Sequence, residues 1–346
     1  MENEMTENIE VKETETIQQE APEKEKQTVR QIMQTRRAEA TQKEIKHLEE
    51  TGNLTVDLYA GGEPQAFGKN VPAKSAENDF LMKQNAVLTG CHDKENGNFY
   101  VSVAAVKSDK SPLTLKEGEK MQAVMQEYWD KPGEKGKDGT RYVDVVNAAK
   151  LDGFKHQKPK MVTKELQDKM AKTLEEKAFK TLVNDGTKDG KAYYDAARDI
   201  AHVPKTEDRD TYLKDLAFTA ASREVAKRTM EQRANEKGKN GPVIKFDRTI
   251  ESPEQAMLKH FVAADLRAKM GLGADERNGM NRESSDSKKQ VIESLKKDEK
   301  MLFNVARRSK GITQAMDRAY NLTPKKAVAK EKTAEKKADK GQELTR

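Results

Sequence analysis

The chain has 346 residues, of which 34% are hydrophobic, 5% aromatic and 36% charged, with a formal net charge of +6. So little apolar material over a length that suits two or three domains argues against a uniform globule and predicts a compact fraction flanked by solvated tails, about a third of the chain. No run approaches the roughly 20 apolar residues of a membrane helix, the acidic N-terminus has no signal-peptide pattern, and one cysteine, Cys91, permits no internal disulfide; a cytoplasmic protein without membrane association is expected.

In chain order, residues 1–26 are glutamate-rich and lack the periodicity that lets a helix bury a face, so they read as a disordered acidic tail. Residues 27–77 read as a weak helix, with Val29, Ile32, Met33, Ile45 and Leu48 among charges, followed by a Gly/Pro/Ala-rich linker from 51 to 76. Strand signals concentrate between Asn78 and about residue 155. There Asn96-Gly97 reads as a hairpin turn, Phe99, Val101 and Val103 alternate as a strand, and Lys120–Trp129 and Arg141–Asn147 read as two more. The intervening stretch from Asp130 to Gly139 breaks both helix and strand and is expected to be an exposed loop.

From residue 156 to 322 the period becomes helical. Leu166, Met170 and Leu174 open a segment that continues through Phe179, Leu182 and Val183, and further helices are predicted over 211–233, 253–270 and 287–308. Residues 323–346 form a basic, Lys/Ala-rich tail. The fold class expected is α+β: a small sheet-containing domain followed by a mostly helical one, with disordered tails.

Local signals for chemistry are weak. None of His47, His92, His156, His202 and His260 lies three to five residues from another, so no metal pair is legible, and Cys91-His92 is adjacency without aim. Gly133, Gly136 and Gly139 lie between predicted strands and serve a turn rather than a phosphate.

Two stretches carry a resemblance. Pro112-Leu-Thr-Leu-Lys-Glu-Gly-Glu-Lys120, Glu127-Tyr-Trp129, Arg141-Tyr-Val-Asp-Val-Val-Asn-Ala-Ala149 and Leu151-Asp-Gly-Phe154 resemble the N-terminal domain of ArdC-like antirestriction proteins, shared with TraC-type plasmid primases and associated with single-stranded DNA. Tyr193-Tyr-Asp195, Asp199-Ile-Ala-His-Val-Pro204 and Tyr212-Leu-Lys-Asp-Leu216 resemble the opening of the zincin-like metallopeptidase domain that follows it in such proteins. The stretches Phe261–Gly271 and Leu295–Ala306 resemble its closing helices.

Zincin chemistry needs His-Glu-x-x-His on one helix face, two zinc ligands and a general base. Here Phe218-Thr219-Ala-Ala-Ser222 falls where that motif belongs, and the segment expected to give the third ligand maps near Gln255–His260 without its glutamates. The resemblance therefore implies an inactive peptidase-like domain with no catalytic residues, no metal and no cofactor, in which Phe218 and Ala221 fill the space of an imidazole and zinc; His260 alone does not make a site. For the first domain, basic and aromatic residues interleave as single-strand binding requires: Lys116, Lys120, Lys131, Lys135, Lys137 and Arg141 beside Tyr128, Trp129 and Tyr142. The bland reading gives Trp129 to the core and the lysines to a solvated loop. The expected function is a non-enzymatic single-stranded-DNA-binding accessory protein of a mobile element; the alternative is a scaffold whose peptidase-like domain binds a polypeptide partner.

Overall fold

The computed structural model describes residues 28–67, 75–129, 139–155, 162–184, 190–237 and 251–322; the side chains of Trp129, Thr140 and residues 231–237 are not among what it describes. Both tails, the lysine loop and His156 lie outside these residues.

Helix α1 (Val29–Thr51) starts on a capping box in which the Thr28 hydroxyl accepts from Gln31 N–H and the Gln31 amide oxygen accepts from Thr28 N–H, and it stops at Gly52, whose φ of 72° only glycine adopts freely. Its inward face carries Met33, Ala40, Ile45 and Leu48, but also buried Thr41, Glu44 and His47. The stretch read as a linker instead holds α2 (Thr55–Leu58) and β1 (Gln65–Phe67). The reason it escapes sequence reading is that polar groups do the docking. The fully buried Glu44 carboxylate accepts from Thr55 N–H at 2.8 Å, Thr55 Oγ1 at 2.7 Å and Gln84 Nε2 at 2.8 Å, and burial pushes its pKa up.

Helix α3 (Ala76–Leu88) follows, and Asn96-Gly97 then turns the chain into β2 (Phe99–Ser102). This corrects the hairpin reading: the element before the turn is a helix, and Gly97 is required because a Cβ there would meet the Cys91 carbonyl oxygen at 1.8 Å. Short α4 (Val103–Val106) and β3 (Thr114–Leu115) lead to β4 (Val124–Trp129) and β5 (Thr140–Asn147), with β6 (Leu151–Asp152) pairing β3. The main sheet runs β1-β2-β5-β4, parallel only between β1 and β2. Met82 of α3 packs with Tyr100 and Val145 on one face, and Phe67, Phe99 and Phe154 gather on the other.

Helix α5 (Lys164–Lys177) ends at Ala178, and Leu182 and Val183 belong to β7 (Thr181–Val183) rather than to a continued helix. β7 joins β8 (Tyr193–Asp195) and β9 (Ile200–His202) in a sheet of order β7-β9-β8. Helices α6 (Arg209–Lys237) and α7 (Pro253–Met270) come next, the latter framed by a Ser252 capping box, Pro253 and left-handed Gly271. The helix read as 287–308 is two: α8 (Ser285–Lys297) and α9 (Met301–Tyr320), interrupted where Asp298 turns extended. The apolar rows of the two helices happen to continue in phase across the break, with Leu295 and Leu302 one heptad apart, so periodicity alone could not see it.

One apolar core takes Ala40, Ile45, Leu48, Leu54 and Val56 from the N-terminal helices, Phe80 from α3, and α5 to α9. The sheet β1-β2-β5-β4 sits beside it. Leu54 is 0% exposed. We expect Leu54→Ala to lower the unfolding free energy by about 2–5 kcal/mol in urea titration, as a core truncation does; a loss below about 0.5 kcal/mol, the range of an ordinary surface substitution, would mean that residues 28–58 only rest on the surface.

Candidate functional site

The sequence-derived nucleic-acid residues do not form one patch. Cross-strand register sets Tyr128 opposite Arg141 and Tyr142 opposite Glu127. Successive residues of a strand point to opposite faces, so Tyr128 and Arg141 share a face and Tyr142 lies on the other. Arg141 is exposed, and both tyrosines are half-buried. Lys116, beyond β3, donates from Nζ to the Ala149 carbonyl at 2.9 Å, which commits it to structure; Lys120 is exposed two residues past the Gly118 turn. Lys131, Lys135, Lys137 and the Trp129 side chain lie outside the described residues.

The outer edge of β4 is capped at Glu127. Asn78 Nδ2 donates to the Glu127 carbonyl at 2.7 Å and Asn78 Oδ1 accepts from Glu127 N–H at 2.9 Å, so one side chain imitates a neighbouring strand. The Glu127 carboxylate pairs with Arg37 of α1, which also holds Glu77 at 3.0 Å. The root of the β4–β5 hairpin is thereby fixed to the helical core.

The second region lies between α6 and α7. Phe218 and Thr219 are buried. The Thr219 hydroxyl donates to the Asp215 carbonyl at 2.8 Å and the Ser222 hydroxyl to the Phe218 carbonyl at 2.9 Å, so both hydroxyls are spent on their own helix. The Phe218 ring packs on His260, with centroids 5.5 Å apart, and the Lys259 ammonium lies 5.9 Å from the ring centroid.

Around these lies a set of ionisable groups, of which the sequence singles out only His260. His260 Nδ1 is 2.9 Å from Asp57 Oδ1, and its Nε2, fully buried and without a hydrogen-bond partner, is 3.6 Å from Glu283 Oε1. Lys259 Nζ is 2.7 Å from both Glu251 Oε2 and Glu283 Oε1. Burial alone would lower the imidazole pKa, but the charge and hydrogen bond of Asp57, with help from Glu283, raise it to about 9. Burial would likewise raise Glu283, yet the neighbouring His260 imidazole and the Lys259 ammonium bring it down to about 2. Asp57 and Glu283 escape sequence reading because they lie on α2 and just before α8, far from His260 along the chain.

A zincin metal does not fit these residues. Phe218 offers no donor atom, Ser222 has committed its hydroxyl, and the cation between the carboxylates is an ammonium. Among the described residues no three His, Cys, Asp or Glu side chains gather closely enough to hold a metal ion. Next to this set, Asp215 is 0% exposed and accepts from Asn278 Nδ2 at 2.7 Å; burial pushes its pKa up to about 6.

No family model and no curated protein matches the sequence. Among solved structures the fold is similar to that of the antirestriction protein ArdC from plasmid R388, in its metal-free and Mn(II)-bound crystal structures, each 17% identical with a TM-score of 0.53, covering 82% of this chain and 97% of that one. The likeness shows a shared α+β fold. Among the described residues no helix is long and apolar enough to cross a membrane.

The His260 charge is testable through stability. With a folded pKa of about 9 above an ordinary 6.5, its contribution is complete below pH 6.5 and lost as pH rises through 9. Asp215 and Glu283 titrate below that window, Lys259, with a raised pKa, titrates above it, and the burial-lowered His47 acts below pH 6.5. We expect the unfolding free energy to fall by at most about 3 kcal/mol between pH 6.5 and 9, and His260→Gln to flatten that slope. Identical pH profiles for the two proteins would show that the folded imidazole is neutral.

Proposed function

We propose that this protein is a non-catalytic, single-stranded-DNA-binding accessory protein of a mobile element, acting in antirestriction or conjugation, with a metallopeptidase-like half that has lost its chemistry. The observation that carries the non-catalytic part is the Phe218 ring packed against His260 and Lys259 on the helix face where metal ligands and a general base would be needed. The fold shared with a plasmid antirestriction protein supports the mobile-element context.

The DNA-binding part rests on the β4–β5 hairpin. Tyr128 and Arg141 stand side by side on one face, an aromatic surface next to a fixed positive charge, at the base of a segment whose sequence adds Lys131, Lys135 and Lys137. Unpaired bases expose a π face that stacks on aromatic rings for about 1–3 kcal/mol each, while lysines neutralise phosphates without reading sequence. A duplex hides that face, so single strands are preferred. Lys116, held by the Ala149 carbonyl, contributes less than the loop lysines in this reading.

The full chain is then expected to retain a labelled oligothymidine at low salt and to bind the matching duplex more weakly. Tyr128→Ala weakens binding about 5- to 100-fold at every salt concentration. The triple change of Lys131, Lys135 and Lys137 to Ala flattens the dependence of log K on log salt by about 0.7 for each phosphate no longer neutralised. An unchanged slope would reduce the loop to a solvated turn, and no retention at low salt would replace this reading with the polypeptide-binding scaffold. The purified chain is also expected to lack stoichiometric zinc and to cleave no casein; one tightly bound zinc per chain, required for proteolysis, would overturn the non-catalytic part.

A further inference from the structure

Besides the β4–β5 hairpin, lysines gather at the short 3-10 turn Ala148–Lys150 that follows β5. Lys150 is buried, its side chain 6% exposed, and its ammonium lies 2.9 Å from Glu119 Oε2 and donates to Gln122 Oε1 at 3.4 Å. Lys116 is tied to the same turn twice: its N–H donates to the Lys150 carbonyl at 3.0 Å and its ammonium to the Ala149 carbonyl at 2.9 Å. Lys94 arrives on a turn closed by the Gly97 N–H on the Lys94 carbonyl at 2.9 Å. Asn147, which caps the 3-10 turn, donates from Nδ2 to the Gly97 carbonyl at 2.7 Å and so holds the Lys94 turn against it.

We propose that Lys94, Lys116 and Lys150 form a phosphate site, that the Glu119 carboxylate occupies it in the free protein, and that a backbone phosphate of single-stranded nucleic acid takes the place of that carboxylate. This rests on the reading of the first domain as a single-strand binder and adds to it a contact that the hairpin does not supply. Three observations support it. A buried ammonium keeps its charge by keeping an anionic partner, and the partner of Lys150 is reachable from solvent, Glu119 being 29% exposed. The hydrogen bond from Lys150, together with the charges of Lys150, Lys94 and Lys116, holds the Glu119 carboxyl below the usual carboxylate range, although Asp93, Glu95 and Glu117 are exposed on the same turns. The third is the place of Glu119 itself. It ends the turn in which its N–H donates to the Lys116 carbonyl at 3.1 Å and Gly118 takes a φ of 78°, between β3 and β4, so its side chain can rotate outward without moving a strand.

The exchange conserves charge. A phosphodiester carries one negative charge on two free oxygens, as a carboxylate does, and ammonium groups bind either as point charges. Lys150 then keeps a counter-ion throughout. Lys116 spends one of its three N–H donors on Ala149 and retains two for a phosphate oxygen. Glu119 thereby sets a threshold: an anion binds only where it outcompetes a carboxylate already in place.

The experiment measures retention of a labelled oligothymidine by the full chain against salt concentration, for the native protein, Glu119→Gln, Lys94→Ala and, as a control, Lys289→Ala on the exposed side of α8. Glutamine leaves an oxygen for Lys150 and removes the competing charge, so Glu119→Gln is expected to bind about 2- to 5-fold more tightly at low salt, the worth of an exposed ion pair. Lys94→Ala, a change at an exposed side chain that leaves the fold alone, is expected to flatten the dependence of log K on log salt by about 0.7, one phosphate contact on a single strand. Lys289→Ala is expected to keep the native slope. Thermal midpoints in sodium phosphate and in sodium chloride of equal ionic strength separate the two sources of a phosphate group. If inorganic phosphate raises the midpoint of Glu119→Gln while its oligothymidine affinity stays native, the site serves free phosphate and the nucleic-acid assignment fails. A folded Glu119→Gln that binds no more tightly than the native chain, a native slope in Lys94→Ala, or an equal flattening in Lys289→Ala overturns the proposal, and retention by the native chain then leaves the single-strand reading intact. No retention by any of the four proteins at low salt overturns both.

Discussion

The carboxylate of Asp57 organises the helical half of this molecule. One oxygen receives the His260 imidazole at 2.9 Å, and the other accepts from Leu54 N–H at 3.2 Å and Met280 N–H at 3.0 Å. The Asp57 carbonyl accepts in turn from Asp275 N–H at 2.9 Å and from Arg267. A four-residue helix near the N-terminus is thus joined to α7 and to the loop ahead of α8 by groups that burial would otherwise leave without water. An unsatisfied buried carboxylate is costly, so the position of α2 follows from where its partners stand. That dependence explains why a short segment flanked by glycines is ordered at all.

The same logic governs the α6–α7 site. Buried ion pairs add little net stability compared with a well-packed apolar core, but removing one partner from a pair is severe. Asp57, Glu251 and Glu283 face Lys259 and His260, an arrangement in which each charge is retained because the others are there. Phe218, on α6, covers one side of the site with its ring, while Glu251 and Glu283 remain partly open to solvent.

How much of this is legible in the sequence depends on which physical signal carries each element. Helix α7 is legible to the residue because Ser252, Pro253 and Gly271 announce its ends, and β5 to within one residue because it is rich in valine and tyrosine, which favour strands. Helix α1 looks too polar to dock because the groups that dock it include Thr41 and Glu44, which hydrophobic periodicity counts as solvent-facing. β1 is three residues long and exists through its pairing with β2, a non-local cause. The α6–α7 site is half visible: Phe218, Thr219 and Ser222 stand out by what they lack, while Asp57, Lys259 and Glu283 have no local signature. For the nucleic-acid residues, strand alternation could separate Tyr142 from Tyr128 and Arg141 in advance. What it could not reveal is that Lys116 is held by the Ala149 carbonyl, a contact made across the β3–β6 pair.

The two halves meet through side chains rather than a shared sheet. Arg37 reaches from α1 to Glu77 on α3 and Glu127 on β4, Asn78 closes the β4 edge, and Arg307 of α9 reaches back to Glu77 at 2.7 Å. On β4 these ties converge on Glu127, close to the point where the chain leaves the strand. The strand from which the chain leaves toward residue 130 is thereby tied to α1 and α3. At Glu127 the Asn78 amide occupies the backbone groups that another strand would need, so the polar clamp blocks strand addition at this point of the edge.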